Sequence, residues 1–355
     1  MAIDPKRVHA ERVILSDNER MALDSYVGVL QEQDFLPATQ ALIDAALPRL
    51  LAATLPQKTL DFVAGAKRLV LSPHRVLHLL PFHAAKIGDQ FLIEEAAIRY
   101  APNLGGMLLP REKAPSDDGG VFAIGIGAFN VPDEALPVLE SAEAEAKAVA
   151  TAWAERGRPA DVVTGSRATV AEFRARREQL GQYGCLHFAA HGASVFEKEV
   201  LNDPLASRLI LQDGAVDALE ISQLHLRAEV VVLSACHSGQ RTLGGRGLEE
   251  LPGDDMFGLA AAFFEAGAHG VVGTLWPLYD KVAPIIMQAL HENLAAGVAP
   301  DLALQTAMLA YLRRPDAVRV ISVWAPTFLS FNGVSAGAKS ENLDGLFRPK
   351  RAPVS

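Results

Sequence analysis

A histidine and a cysteine, each set directly after a short apolar run, are the residues of this sequence best suited to chemistry. Cys185-Leu-His-Phe-Ala-Ala190 delivers His191-Gly192, and Val230-Val-Val-Leu-Ser-Ala235 delivers Cys236, followed by His237-Ser238-Gly239. A thiol beside an imidazole is an activated nucleophile, able to attack an electrophilic carbon while the ring moves protons. Both runs have the length and composition of strands buried in a parallel sheet. In such a sheet the reactive crevice lies outside the carboxyl ends of the strands. If the two strands are neighbours, roughly 4.8 Å apart, His191 and Cys236 emerge side by side on that edge.

Each residue has a plainer reading as well. An intracellular cysteine is commonly a small buried hydrophobe; the position of Cys236 after a strand and before His-Ser-Gly moves it out of the core and into a loop. Cys185 opens its run rather than closing it. At roughly 3.3 Å per residue it lies about 20 Å from the reactive edge and is expected to be structural. His237 adjoins Cys236, but adjacent side chains on an extended chain diverge, so His191 is the better base. His187 and His191 have the spacing of a helical zinc pair. That reading needs a helix, a third ligand and usually a Glu where Phe188 stands, so no metal is expected and His187 reads as a packed, hydrogen-bonded histidine. Gly125-Ile-Gly127 lacks the third glycine of a dinucleotide fingerprint; a tight turn is expected there, and no cofactor. Residues 238–255 combine five glycines with Arg241, Arg246, Glu249, Glu250, Asp254 and Asp255. They read as a long solvated loop that, leaving the nucleophile directly, shapes a substrate groove and orders on activation.

The elements that must position these residues follow from periodicity. Residues 17–56 carry helix-period apolar positions, among them Met21, Leu23, Tyr26, Val27 and Leu30, then a second run from Ala38 to Leu55 interrupted at Pro48. This is a helical preface about two helices long, without a helical repeat array. From about residue 67 strands and helices alternate. Strands are expected at 68–72, 121–126, 161–164, 185–190, 208–211, 229–235 and 270–274. Helices are expected at 139–153, with an acidic start suited to a helix N-terminus, and at 169–180, 257–266, 281–296 and 301–314. Residues 109–120 read as a surface loop, and 336–355 as a disordered tail. Alternating β and α with near-continuous apolar strands predicts an α/β fold with a mostly parallel sheet flanked by helices.

The bulk numbers narrow the class. The chain has 355 residues, half of them hydrophobic, two cysteines and a formal net charge of −9. That is enough apolar material for a large core, and the negative charge argues against direct nucleic-acid binding. Two cysteines make no disulfide framework, which suggests a reducing interior. No run approaches the roughly 18 apolar residues of a membrane span, and Met-Ala-Ile-Asp-Pro-Lys-Arg lacks a signal-peptide core. A cytoplasmic protein without membrane partners is expected.

Taken in order, the fragments resemble the CHAT domain family, relatives of caspases and separase. The resemblance runs over about residues 60–333. It includes Leu69-Val-Leu-Ser-Pro73, Leu77-His-Leu-Leu-Pro-Phe82, Tyr100-Ala-Pro102, Leu139-Glu140 with Glu143 and Glu145, and Gly165-Ser-Arg-Ala-Thr169. Its most specific part is Leu186-His-Phe-Ala-Ala-His-Gly192, Ser207-Arg-Leu-Ile-Leu211 and Val232-Leu-Ser-Ala-Cys236. It closes through Ala266-Gly-Ala268, Gly273-Thr-Leu-Trp-Pro277, Asp280, Trp324-Ala-Pro326 and Phe328 to Gly333. His191 lies 45 residues upstream of Cys236, near the roughly 50 of the caspase pattern.

The resemblance implies a caspase-like fold with a degenerate half preceding the active half. The expected organisation is a helical N-terminal segment at 1–56, the degenerate half at 57–154, the active peptidase half at 155–335 and the tail at 336–355. It also implies cysteine endopeptidase activity on a specific protein substrate, possible in bacterial defence or programmed cell death. Cys236 is the nucleophile, His191 the proton carrier, and the backbone N–H groups of Gly192 and Cys236 the oxyanion donors. In related peptidases that cleave after basic residues an acid lies in the substrate pocket. Asp280, Asp254 and Asp255 are the candidates, with a helix N-cap the competing role for Asp280. The sequence departs from much of the family in lacking an attached repeat array, which points either to a separate activator or helical-repeat regulator or to a missing upstream region. A catalytically silent scaffold on the same fold is the alternative, and intact His191, Gly192 and Cys236 weigh against it. Nucleotide binding at the sheet edge is disfavoured by the absence of a phosphate loop.

Overall fold

The structure, a computed structural model, describes residues 2–3, 7–30, 37–102, 119–132, 134, 136–193, 207–234, 258–276, 278 and 281–331. The strands expected to be buried are flanked on both faces. In chain order the principal strands are β1 (Arg68–Leu71), β2 (Ala97–Tyr100), β3 (Val121–Gly125), β4 (Ala160–Thr164), β5 (Cys185–Ala189), β6 (His191–Ala193), β7 (Arg208–Leu211), β8 (Gly214–Asp217), β9 (Val230–Ser234), β10 (Gly270–Thr274) and β11 (Thr327–Phe331). Eight of them form one sheet in the order β1-β2-β11-β10-β9-β5-β3-β4. Every neighbouring pair is parallel except β10 with β11. The sheet is therefore two parallel blocks, of three and five strands, meeting at one antiparallel seam. Strands from both sides of residue 155 share it.

The alternation of side chains across a strand sorts the core into two layers. Val121, Ala123, Cys185, Val230, Val232 and Val272 belong to one; Phe122, Ile124, Leu186, Phe188, Val231, Leu233 and Val271 belong to the other. Burial on both faces explains why these strands read as unbroken apolar runs. The first layer is covered by α1 (Asp17–Leu30), α2 (Pro37–Thr54), α3 (Ala142–Ala154), α5 (Ala283–Ala295) and α6 (Pro300–Leu312), and the second by α4 (Leu259–Glu265) with shorter helical segments. After α4, Gly267 takes φ 108°, a left-handed C-terminal cap that strands the next buried segment in line. No helix among the described residues is long and apolar enough to cross a membrane.

Several expectations are corrected. Pro48 lies inside α2 and does not interrupt it. A proline costs a helix interior about 3 kcal/mol. Ile43, Leu47, Leu50 and Leu51, all at most 2% exposed, offset this at roughly 1.5–3 kcal/mol each. Asp44 further pins the helix by accepting from the Ser322 N–H at 2.9 Å and its hydroxyl at 2.7 Å. Met21 points outward from α1, whose core stripe is Leu23, Tyr26, Val27 and Leu30. Between 169 and 180 regular helix covers only Val170–Ala175, capped by the Thr169 hydroxyl accepting from Glu172 N–H. Residues 208–211 do form a strand, but outside the main sheet: β6, β7 and β8 make a separate antiparallel ribbon. Helix α5 starts at Ala283 with Val282 as N-cap; Asp280, weighed for that role, lies outside the described residues. The expected loops at 109–118 and 238–255 and the tail at 336–355 lie outside the described residues.

Candidate active site

β5 and β9 are adjacent and parallel, and their register is fixed from Cys185↔Val230 to Ala189↔Ser234. Their carboxyl ends are therefore level. In sequence, His191 follows Ala189 by two residues, as Cys236 follows Ser234. Cys236 itself lies outside the described residues, as do Asp254, Asp255 and Asp280. His191 and Gly192 are described, opening the first strand of the ribbon beyond the sheet edge. Cys185 sits at the opposite end of β5, fully buried, and burial, aided by the nearby Glu229 carboxylate, pushes its thiol pKa far above the ordinary value. It is an inert packing group.

Two contacts orient the His191 ring. Its Nε2–H donates to the Pro137 carbonyl oxygen at 2.8 Å, and the Phe129 ring packs against it with centroids 4.7 Å apart. Because a carbonyl can only accept, Nε2 carries a proton, and Nδ1 is the nitrogen left for proton exchange. The segment presenting Pro137 is held by the ribbon: Asn130 N–H donates to the Gln212 carbonyl at 2.6 Å, and Arg208 pairs with Glu134 at 3.1 Å. An imidazole with one nitrogen locked by a backbone carbonyl can, in its neutral form, take a proton from a thiol on the other and return it.

At the carboxyl ends of β5, β9 and β10, lined by Ala189 two residues before His191, is a cavity of about 470 Å³. Ala189, Ser234 and Thr274 line it from the strands, the Val138–Ala142 stretch and Glu145 from the start of α3, and Met287 from α5. Glu145 also stands 3.1 Å from the fully buried His187. His187 is hydrogen-bonded as expected, its Nδ1 lying 3.0 Å from Nε2 of His291. Pro137, Phe129 and His291 were not singled out by sequence, and Glu145 was named only within the family resemblance. Glu145 had a visible signal, lying in an acidic stretch ahead of an apolar helix; the others are brought to the site only by tertiary packing. Gly125, considered for a turn, ends β3 where an added Cβ would meet the Ala142 carbonyl oxygen at 2.4 Å and Ala146 Cβ at 2.7 Å. It permits the close approach of α3 to the sheet. Among the described residues no group of three or more His, Cys, Asp or Glu side chains has a metal-holding arrangement.

The profile of the CHAT domain matches residues 37–332. Among curated proteins none matches. Among solved structures, the chain is similar to the Arg-specific cysteine proteinase gingipain R, RgpB of Porphyromonas gingivalis, at 11% identity and TM-score 0.48, over 89% of this chain and 74% of that one. It is similar to the Saccharomyces cerevisiae separase–securin complex at 14% identity and TM-score 0.48, over 88% of this chain and 20% of that one. It is also similar to caspase-1 from Spodoptera frugiperda at 14% identity and TM-score 0.38, over 64% of this chain and 94% of that one. The chain thus spans a fifth of the separase-complex chain it matches.

Proposed function

The chain belongs to the CHAT domain family, a caspase-like cysteine-peptidase scaffold, and from that premise we propose that it is a cysteine endopeptidase acting on a protein substrate. In this reading Cys236 Sγ adds to the scissile carbonyl carbon after His191 Nδ1 accepts the thiol proton. The oxyanion is met by the backbone N–H groups of Gly192 and Cys236. Collapse breaks the C–N bond, the His191 proton passes to the leaving amine, and water then hydrolyses the thioester with His191 again as base.

The observation that carries this reading is the level pairing of Ala189 with Ser234, which gives His191 and Cys236 the same offset beyond adjacent parallel strands. The carbonyl lock on His191 Nε2 supports it, because it assigns proton exchange to the other nitrogen, Nδ1. Residues 57–154 as a degenerate half and 155–335 as the active half belong to the same proposal, as does docking of a separate activator on the helical preface. A role in bacterial defence or programmed cell death rests on the family alone.

The test is a peptide library incubated with the full chain and read by mass spectrometry. Cys236→Ala and His191→Ala should each lower cleavage by at least about 10³-fold with the circular dichroism spectrum unchanged. Cleavage that survives either change would sink the assignment. The alternative, a silent scaffold, predicts no cuts together with a Cys236 thiol that an electrophilic peptide fails to label at neutral pH.

A further inference from the structure

The buried polar groups behind the candidate site form a line with a direction. Strand alternation turns His187 from β5 onto the face covered by α3 and α5. There α3 supplies Glu145 and Trp153, eight residues apart on one helix face, and α5 supplies His291. The Trp153 indole N–H, which can only donate, gives its proton to His291 Nδ1 at 3.3 Å. Burial, with His187 as a lesser contributor, depresses the pKa of His291 well below its ordinary value, so the ring is neutral and its one proton is on Nε2. That N–H donates to His187 Nδ1 at 3.0 Å. The remaining N–H of His187, on Nε2, faces Glu145 Oε1 at 3.1 Å. One donor-only side chain thus sets both tautomers and leaves the N–H on His187 Nε2 as the one nearest a carboxylate.

That carboxylate lines the cavity and is under-partnered. The Glu145 side chain is 8% exposed. Its Oε1 is inaccessible to water and, although close to His187, is not aligned with it as a hydrogen bond. A buried charge is costly unless a counter-charge meets it, and no Lys or Arg is among the described residues lining the cavity. The N-terminus of α3 supplies at most about half a positive charge. Against it stand Glu140 and Glu145 at the cavity and Glu143, whose own partner is Lys147 at 3.7 Å. The cavity therefore presents the Glu145 carboxyl group among apolar walls of Val138, Leu139, Ala189, Leu278 and Met287. A long aliphatic stem ending in a cation matches both features. Val138, an exposed lining residue, directly follows Pro137, whose carbonyl holds His191. A peptide lying across His191 can lower one side chain into the cavity.

We propose that Glu145, packed against the His187 end of the Trp153–His291–His187 chain, is a specificity-determining residue that selects a Lys or Arg side chain on the residue before the cleaved bond. The inference rests on the peptidase reading for the word cleaved, but not for the cation site itself. Two measurements separate them. The first titrates benzamidine into the Cys236→Ala protein by calorimetry. Binding is expected, weakened at least 30-fold by adding Glu145→Gln and retained within about fivefold with Glu145→Asp, which keeps the charge. The second compares peptides differing only in Arg or norleucine before the bond. The ratio of their kcat/KM values should fall about 100-fold in Glu145→Gln and persist in Glu145→Asp. Benzamidine bound through Glu145, with no peptide cut and Cys236 unlabelled by an electrophilic peptide in the unsubstituted protein, would sustain the cation site and overturn the peptidase. Cys236-dependent cuts after neutral residues, with a ratio indifferent to Glu145→Gln, would overturn the cation site and sustain the peptidase. No benzamidine binding, or uniform loss with both peptides in both variants, would assign Glu145 to the fold and overturn the inference.

Discussion

At the scale of single residues, the function proposed here depends on one imidazole being held still by groups that take no part in bond making. The Pro137 carbonyl fixes the plane and tautomer of His191, and Phe129 closes one face of the ring. Phe129 is then a positioning residue, acting through His191. Phe129→Ala should lower kcat about tenfold, since small misplacements of a reacting group are costly, while KM moves less than about twofold. Phe129→Tyr, which keeps the ring, should restore kcat. Steady-state kinetics on one library-derived peptide decides it; a change in KM alone would mean Phe129 shapes the substrate path instead. His191 was legible in the sequence because a reactive residue ends its apolar run. Its holders were not, because a backbone carbonyl advertises nothing in the side-chain alphabet. Glu145 was visible as part of an acidic stretch, yet its partner His187 lies 42 residues on and His291 a further 104. Only the sheet and two helices bring the three together.

At the scale of elements, the strands were the readable part. A run buried on both faces has no polar alternation to obscure it, and β3, β5, β9 and β10 appear within a residue or two of their expected limits. The ribbon β6-β7-β8 was not readable as a separate sheet, because Arg208–Leu211 has the same composition as a central strand. What diverts it is pairing with His191–Ala193. The continuous α2 was missed for the opposite reason: local proline chemistry predicts a break that tertiary burial overrides. Element packing also yields a test. α3 carries both Glu145 and Trp153 and meets the sheet at Gly125, where a Cβ would stand 2.4 Å from the Ala142 carbonyl oxygen. That neighbour is helix backbone and cannot swing aside. Gly125→Ala should therefore lift the start of α3 and cost roughly 1–3 kcal/mol of stability, the usual cost of overpacking, measured by urea unfolding. Stability unchanged within about 0.5 kcal/mol would mean that the helix start yields freely and does not hold Glu145 in place.

At the scale of the whole molecule, the antiparallel seam joins the five-strand block that carries the candidate site to a three-strand block tied down by buried polar groups. Asp301 at the start of α6 takes hydrogen bonds from Arg68 on β1 and Arg99 on β2. Burial alone would raise its pKa, but the Arg68 hydrogen bond and the charges of both guanidinium groups hold it below the ordinary value. Near the same block His83 is wholly enclosed, with Nδ1 3.0 Å from the Tyr100 hydroxyl and Nε2 3.1 Å from the Ala325 carbonyl. Burial lowers its pKa from 6.5 to about 4, against a smaller opposing effect of the Ala325 hydrogen bond. His291, neutral in the interior, is shifted in the same direction. The sign follows from proton counting: as pH falls below 6.5 the unfolded chain binds protons that the folded chain refuses, so stability present at pH 7 is lost progressively down to about pH 4. For His83 the loss approaches about 3 kcal/mol, and His291 adds to it. The depressed Asp301 contributes stability that survives this window and is lost only as pH falls further, through its folded value. Urea unfolding at pH 7 and pH 4.5 should therefore show a drop of several kcal/mol, and His83→Gln, which cannot titrate, should shrink that drop by about 2–3 kcal/mol while lowering the pH 7 value. An identical pH dependence in His83→Gln would mean that His83 takes up its proton inside the fold, and that the three-strand block opens to water before the chain unfolds.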